Sequence, residues 1–173
     1  MIANEIRESL QKVCATLNKH EVEYIVVGGV AVGYHGYKRI SGTLFQKPEI
    51  KTDLDFWYKP TTQNFTNLIK ALREIGVKDE SLDKIIFDPK KTFLKIPHAT
   101  FHTDFLPQMA GLNSFSESML SSSKEILDGN KLFILSYPDL ILNKRAVGRN
   151  IDNEDIQALK KVKKNDRNEG LSR

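Results

Sequence analysis

Two aspartates alternate with apolar residues in a segment that ends in three aromatic side chains. The sequence of residues 51–58 is KTDLDFWY. This alternation, together with the aromatic content, predicts a strand over 51–58. Residues i and i+2 of a strand point to the same face, so Asp53 and Asp55 share one face. Two carboxylates this close repel each other unless a cation lies between them, and the pattern therefore predicts a site for a hard divalent ion.

A pair of glycines precedes this segment. The apolar run 24–27 predicts a short strand that ends at Gly28 and Gly29, and a helix is expected from Val30 to Tyr37. Glycine permits close approach of a ligand, and the start of a helix offers N–H groups to phosphate oxygens. The alternative is that the glycines serve only the conformation of the turn. Their spacing fits neither the G-x-G-x-x-G fingerprint nor a P-loop.

A third aspartate, Asp104, lies in the apolar run 100–106, which predicts another strand. A glycine turn followed by three acids on two strands points to metal-assisted phosphoryl or nucleotidyl transfer. Taken alone, Asp104 is equally well explained as a solvated acid at the end of a strand. His102 shares its face, but a lone histidine is usually a surface or hydrogen-bonded residue and is interpreted as one.

The remaining elements follow from apolar spacing and from turn residues. Helices are expected over 3–20, 60–76, 136–147 and 150–163, and further strands over 85–87, 93–96 and 132–135. The segment 38–50 reads as a loop, and the serine-rich segment 108–130 is ambiguous. The order of helices and strands predicts an α+β (α/β) fold, with helices packed against a sheet and a helical C-terminus. We expect three parts, namely a core (1–130), a helical extension packed on it (131–165) and a flexible tail (166–173).

Composition narrows the class of protein. The chain has 173 residues, 40% of them hydrophobic, which is enough for one sizeable core. No apolar run approaches the roughly 18 residues of a membrane span, and the N-terminus lacks the apolar centre of a signal peptide. The single cysteine, Cys14, excludes an intramolecular disulfide and a cysteine-based zinc site. These features predict a cytoplasmic protein.

Positive charge is concentrated near the C-terminus of a chain whose net charge is +4. In a helix–turn–helix, Lys144 and Arg149 would face one cleft and neutralise a triphosphate. Asp152 would cap the last helix or hold Arg149 in place. The alternative is a salt-bridged helical hairpin with a solvated basic face. The late lysines are also of the kind that attracts polyphosphate or RNA.

These motifs together resemble the nucleotidyltransferases of the DNA polymerase β superfamily. The resemblance is greatest to the abortive-infection (AbiEii-like) branch, which includes toxins of type IV toxin–antitoxin systems. It covers roughly residues 20–160 and is carried by VGGVA at 27–31, HG at 35–36, KTDLDF at 51–56, Asp104, and the stretch 144–156.

The resemblance implies a nucleotidyltransferase-like mixed sheet and an enzyme of the EC 2.7.7 type. Such an enzyme transfers a nucleoside monophosphate from an NTP such as ATP to a hydroxyl and releases pyrophosphate. Two Mg²⁺ ions, or Mn²⁺ in their place, would be held by Asp53, Asp55 and Asp104, which are also the catalytic residues. The nucleotide would be bound by the following residues: Gly28, Gly29, Lys144, Arg149 and Asp152. The late pattern of the branch also includes Gly148 and Asp155.

The acceptor is left open between the 3′ end of a tRNA, a protein side chain and a small molecule such as an aminoglycoside; the basic C-terminus slightly favours RNA. A cognate antitoxin is a further partner that the resemblance suggests. The sequence departs from the branch at Arg39, which a longer loop separates from the acid pair. The competing interpretation is a catalytically silent nucleotide-binding or antitoxin-like module, against which the presence of all three acids argues. A metal-dependent phosphohydrolase is disfavoured because the histidines are scattered.

Overall fold

The structure is a computed structural model that describes residues 4–36 and 52–170. Its helices are α1 Asn4–Lys19, α2 Gly28–Tyr34, α3 Thr62–Ile75, α4 Phe115–Ser121, α5 Tyr137–Val147 and α6 Asn150–Gly170. Its strands are β1 Tyr24–Val26, β2 Thr52–Tyr58, β3 Leu94–Pro97, β4 Phe101–Leu106, β5 Ser123–Leu127 and β6 Asn130–Ile134. A 3₁₀ helix spans Glu80–Lys84.

The six strands form one mixed sheet in the order β3-β4-β2-β1-β6-β5. β2 runs parallel to β4 and antiparallel to β1, whereas β1 is parallel to β6. The outer strands β3 and β5 are each antiparallel to their neighbours. The predicted fold class, a mixed α/β arrangement with helices packed on a sheet, is confirmed.

One face of the sheet is apolar and forms the core. Leu54, Phe56 and Tyr58 of β2 are buried on this face. The Phe56 ring stacks on Phe105 of β4, and the Tyr58 ring contacts Phe65 of α3. Because α1 packs on α3 and on β6, these two helices cover the apolar face. The alternation of β2 then directs Asp53 and Asp55 to the opposite face.

The sequence signals at helix ends act as expected. The Thr61 hydroxyl accepts a hydrogen bond from the backbone N–H of Asn64, and α3 ends at Gly76, whose φ is 108°. The Ser136 hydroxyl accepts from the N–H of Asp139 at the start of α5. Side-chain caps of this kind satisfy N–H groups that lack a partner in the first turn, and glycine ends a helix without strain.

Two predictions of secondary structure fail or fall short. The strand expected at 85–87 is wrong: this segment follows the 3₁₀ helix as irregular chain, and Ile86 is 92% exposed. The ambiguous segment 108–130 contains α4 and β5. The turn from β5 to β6 has positive φ at both Asp128 and Gly129. An Asp-Gly pair of this kind is the usual signal of a two-residue hairpin, which the apolar spacing alone did not reveal.

Other boundaries shift modestly. α2 begins at Gly28, earlier than expected, and α6 extends to Gly170, beyond the predicted end at 163. The expected boundary between residues 130 and 131 falls inside β6, next to β1 in the sheet, so chain on both sides of it contributes to one sheet. The division into core, extension and tail stays a prediction. The loop 38–50 and Arg39 lie outside the described residues. Within the described ranges, none of the helices has the length and apolar character needed to span a membrane.

Candidate active site

The three predicted acids lie on the polar face of the sheet. Asp55 of β2 and Asp104 of β4 are directly opposite each other in the parallel ladder, and Asp53 is opposite His102. Paired residues on neighbouring strands point to the same side, so all four side chains share this face. The structure therefore brings together the acids that the spacing predicted.

Asp55 lies deepest of the three, and its electrostatics differ from those of a surface acid. Burial, followed by the negative charges of Asp104 and Asp53, raises the pKa of Asp55 to about 6. A hydrogen bond from the backbone N–H of Gly29 and the positive charge of Lys144 oppose this rise. Carboxylates that repel one another in a partly desolvated place favour either a proton or a bound cation.

Asp104 has one oxygen in an ion pair and one without a partner. Its Oδ2 is 3.5 Å from the Nζ of Lys95, which lies opposite it on β3. Its Oδ1 is buried and has no hydrogen-bond partner among the described residues. Burial raises the pKa of Asp104, and the charge of Lys95 offsets part of that effect. A buried carboxylate oxygen without a partner is costly, which points to a ligand or cation at this position.

Gly28 is fixed by close contact with Asp55. Its φ is +60°, and a Cβ built on it would clash with the carboxylate of Asp55. The backbone of the turn passes so close because the N–H of Val27 is 2.9 Å from the Asp55 carbonyl oxygen. Both the left-handed backbone and the lack of space require glycine. The conformation of the turn thus requires glycine at position 28, and the same contact places the glycine turn against the acids; the phosphate-binding role of the glycines stays a prediction.

The predicted C-terminal cations form a compact ion cluster with two acids. The Nζ of Lys144 is 2.8 Å from Asp152 Oδ1 and 2.7 Å from Asp155 Oδ2. All three residues are nearly inaccessible, with exposures of 4%, 1% and 0% respectively. Arg149 Nε is 2.7 Å from Asp152 Oδ2, while two thirds of the Arg149 side chain remains exposed. The ammonium group of Lys144 is thus paired with two carboxylates inside the protein, whereas the guanidinium group of Arg149 is accessible to a ligand.

Asp152 joins the helices and orients the arginine. Burial raises its pKa, but hydrogen bonds from Arg149 and Lys144 outweigh burial and lower the pKa of Asp152 to about 2. Its Oδ2 also accepts from the backbone N–H of Arg149 at 3.2 Å, which satisfies an N–H at the start of α6. Asp152 holds Arg149 as expected, but it is the third residue of α6 rather than the residue that caps it, and its carboxylate bonds back to the residue before the helix. The salt-bridged hairpin is also present, so the two interpretations are not exclusive.

This ion cluster lies near enough to the acids to affect them. The charge of Lys144 offsets part of the rise in the pKa of Asp55. The pKa of Arg149 is raised chiefly by its hydrogen bond to Asp152, and the charge of Asp55 adds a smaller contribution. The link is structural, since α2 contacts both β2 and α5, and α5 packs on α6. The acids, the glycine turn and the exposed guanidinium therefore lie in one region of the fold.

The donor chemistry of the acids suits a hard divalent cation. Carboxylate oxygens are the ligands that Mg²⁺ and Mn²⁺ prefer. The Oδ1 of Asp104 has no hydrogen-bond partner among the described residues and could serve as such a ligand. As they stand, no three His, Cys, Asp or Glu side chains within residues 4–36 and 52–170 are arranged to hold an ion. The residues fit the ion in their chemistry but not in their present arrangement.

Sequence reasoning placed one neighbour of the acids and missed another. His102, expected on the face of Asp104, has its Nδ1 3.5 Å from Asp53 Oδ1, a proximity that depends on the pairing of β2 with β4. Lys95 alternates with buried Leu94 and Ile96, so the sequence placed it on the face opposite the core. Its position beside Asp104 depends on the pairing of β3 with β4, which no local pattern specifies.

Comparison with known proteins identifies the fold. No protein-family model and no curated protein matches the sequence. Among solved structures, the chain is similar to a lincomycin-bound lincosamide antibiotic adenylyltransferase, LnuA, with a TM-score of 0.57. The match covers 90% of this chain and 96% of that one. This chain has a nucleotidyltransferase-like fold. Sequence identity is 19%, so the similarity concerns the fold alone.

Proposed function

We propose that the protein is a nucleotidyltransferase that moves a nucleoside monophosphate from an NTP to a hydroxyl acceptor and releases pyrophosphate. The observation that carries this proposal is the register of Asp55 opposite Asp104, with the Gly28 turn packed on the Asp55 carboxylate. Membership of the AbiEii-like branch remains part of the proposal, and so does the EC 2.7.7 class.

Each residue has a role that follows from its position. Asp53, Asp55 and Asp104 would hold Mg²⁺ or Mn²⁺, a two-ion set being the expectation from the resemblance. Such ions, when bound, neutralise phosphate charge and acidify an acceptor hydroxyl. Gly28 and Gly29 would let the backbone of the turn approach the phosphates of a nucleotide closely.

Arg149 and Lys144 would have different roles in binding the nucleotide. The exposed guanidinium of Arg149 would contact the triphosphate, in an orientation that Asp152 sets. Lys144 would act at longer range, since both of its carboxylate partners hold its ammonium within the protein. We therefore propose Arg149 as the direct phosphate ligand and Lys144 as part of the supporting cluster.

Two observations support two different classes of acceptor. The structural neighbour is named as an adenylyltransferase of a small antibiotic and matches this chain over most of both lengths, which supports a small hydroxyl compound. The exposed lysines of α6, among them Lys160, Lys161 and Lys164, support an RNA such as tRNA. Transfer to RNA would weaken steeply with salt, and transfer to a small neutral compound would not.

The test is incubation with each α-³²P-labelled NTP and Mg²⁺, in parallel reactions with total bacterial RNA, lysate protein and lincomycin. We expect label in one acceptor with the wild-type protein and none with Asp55→Asn or Asp53→Asn, both of which keep the side-chain volume. Asp83→Asn, which neutralises a surface acid paired with Arg73, should retain full transfer. Full activity in either site variant would show that these acids are not the catalytic pair. NTP binding by calorimetry without any transfer would favour the silent nucleotide-binding module.

A further inference from the structure

The edge strand β3 brings a lysine to the third acid of the site. Lys95 lies opposite Asp104 in the antiparallel ladder, and its Nζ is 3.5 Å from the Asp104 Oδ2. Leu94 and Ile96 on either side of it are buried in the core. Because alternate residues of a strand face opposite sides, packing of these two side chains fixes Lys95 on the face that carries the acids.

Asp104 and Asp55 consequently differ in their surroundings. Asp104 has a cationic partner one strand away, in a residue whose side chain is itself 53% exposed. Asp55 has the backbone N–H of Gly29 and, at longer range, the charge of Lys144, which two other carboxylates already hold. An ammonium group and a divalent cation repel each other, so both cannot share one carboxylate at full strength.

We propose that Lys95 is the resident counter-ion of Asp104, so that the substrate-free protein binds one divalent cation at Asp53 and Asp55 rather than two. The inference rests on the proposed function, since it concerns the same acids. Lys95 acts through Asp104 and is therefore a positioning residue. It keeps the Asp104 carboxylate neutralised and in place, and its long exposed side chain is free to leave when substrate occupies that side of the site.

The test is Mn²⁺ binding to the substrate-free protein, followed by the electron paramagnetic resonance signal of free Mn²⁺. We expect one ion per chain in the wild-type protein. Lys95→Met keeps the length of the side chain but removes its charge, and should bind a second ion or bind Mn²⁺ about tenfold more tightly. Lys95→Arg should behave as the wild-type protein does. Lys124→Met makes the same charge change on β5, the opposite edge strand, and should have no effect.

Asp104→Asn in two backgrounds makes the test specific. It should leave Mn²⁺ binding of the wild-type protein nearly unchanged and abolish the gain produced by Lys95→Met. Equal binding by wild type and Lys95→Met overturns the inference, and so does a wild-type protein that binds two ions and loses one with Asp104→Asn. The latter result leaves the proposed function intact. If no form binds Mn²⁺, the inference and the metal dependence of the proposed function both fail.

Discussion

Neutralising Asp55, the acid whose pKa burial raises most clearly, is expected to stabilise the metal-free protein. The pKa of Asp55 rises from its ordinary value of 3.8 to about 6, because of burial first and of Asp104 and Asp53 next. The folded state therefore binds this proton more tightly than the unfolded state does. The free energy of unfolding falls as the pH rises from about 4 to about 6, and the full penalty is present above that range.

The size of the effect follows from the pKa values. The preference for the protonated form corresponds to about 3 kcal/mol, an order-of-magnitude figure. Asn at position 55 carries no charge, yet its side-chain oxygen still accepts from the N–H of Gly29. Asp55→Asn should therefore raise the free energy of unfolding by up to about 3 kcal/mol at pH 7.5, and the melting temperature by about 6–12 °C for a chain of this length.

The assay is thermal unfolding monitored by circular dichroism in EDTA at pH 4.5 and pH 7.5. The stabilisation should be large at pH 7.5 and small at pH 4.5, and Mg²⁺ should stabilise the wild-type protein more than the variant. Asp83→Asn serves as the control for loss of a surface carboxylate. If Asp55→Asn is no more stable than wild type at pH 7.5, or if the gain is the same at both pH values, the Asp55 carboxylate carries no such penalty.

Three other substitutions test the remaining parts of the site. Gly28→Ala should lower the free energy of unfolding by about 3 kcal/mol or more, because φ is +60° and the new Cβ would clash with Asp55. Gly129→Ala is the matched control: its φ is +82°, but a Cβ there would meet no neighbouring atom within 4 Å, and the loss should be about 1 kcal/mol. Lys144→Met should cost about 3–5 kcal/mol in urea unfolding, since it removes the Lys144 ammonium from buried Asp155 and leaves buried Asp152 with Arg149 alone. Arg149→Gln should raise the KM for NTP about tenfold with a smaller change in kcat.

For each of these three substitutions, one outcome would contradict the role assigned to the residue. Equal losses for Gly28→Ala and Gly129→Ala would mean that the turn does not press on Asp55. A loss for Lys144→Met as small as that for Lys124→Met, about 0.5 kcal/mol or less for a surface lysine, would contradict the buried cluster. An unchanged KM for NTP in Arg149→Gln would remove Arg149 from phosphate binding.

Much of the fold was accessible from local patterns. The alternation in residues 51–58 determines both the strand and the common face of Asp53 and Asp55, and side-chain caps mark the start of α3 and α5. The strand expected at 85–87 failed because short apolar runs do not distinguish a strand from irregular chain. The hairpin at Asp128 was missed although its turn residues signalled it.

The site was less accessible, because its contacts join residues that are distant in sequence. The approach of Gly28 to Asp55 and the register of Lys95 with Asp104 depend on which strands pair. The sequence suggested that Lys144 faces the nucleotide. Only the packing of α5 on α6 shows that Asp152 and Asp155 both pair with its ammonium group.

The most direct test of nucleotidyl transfer compares ATP labelled with ³²P at the α-phosphate with ATP labelled at the γ-phosphate, in the presence of Mg²⁺ and an acceptor identified in the first screen. Should another NTP prove to be the donor, its two labelled forms replace ATP. We expect α-label in the acceptor and γ-label in released pyrophosphate for the wild-type protein, with both products absent for Asp55→Asn. Appearance of the γ-label in the acceptor, or equal α-labelling by Asp55→Asn, would contradict this expectation.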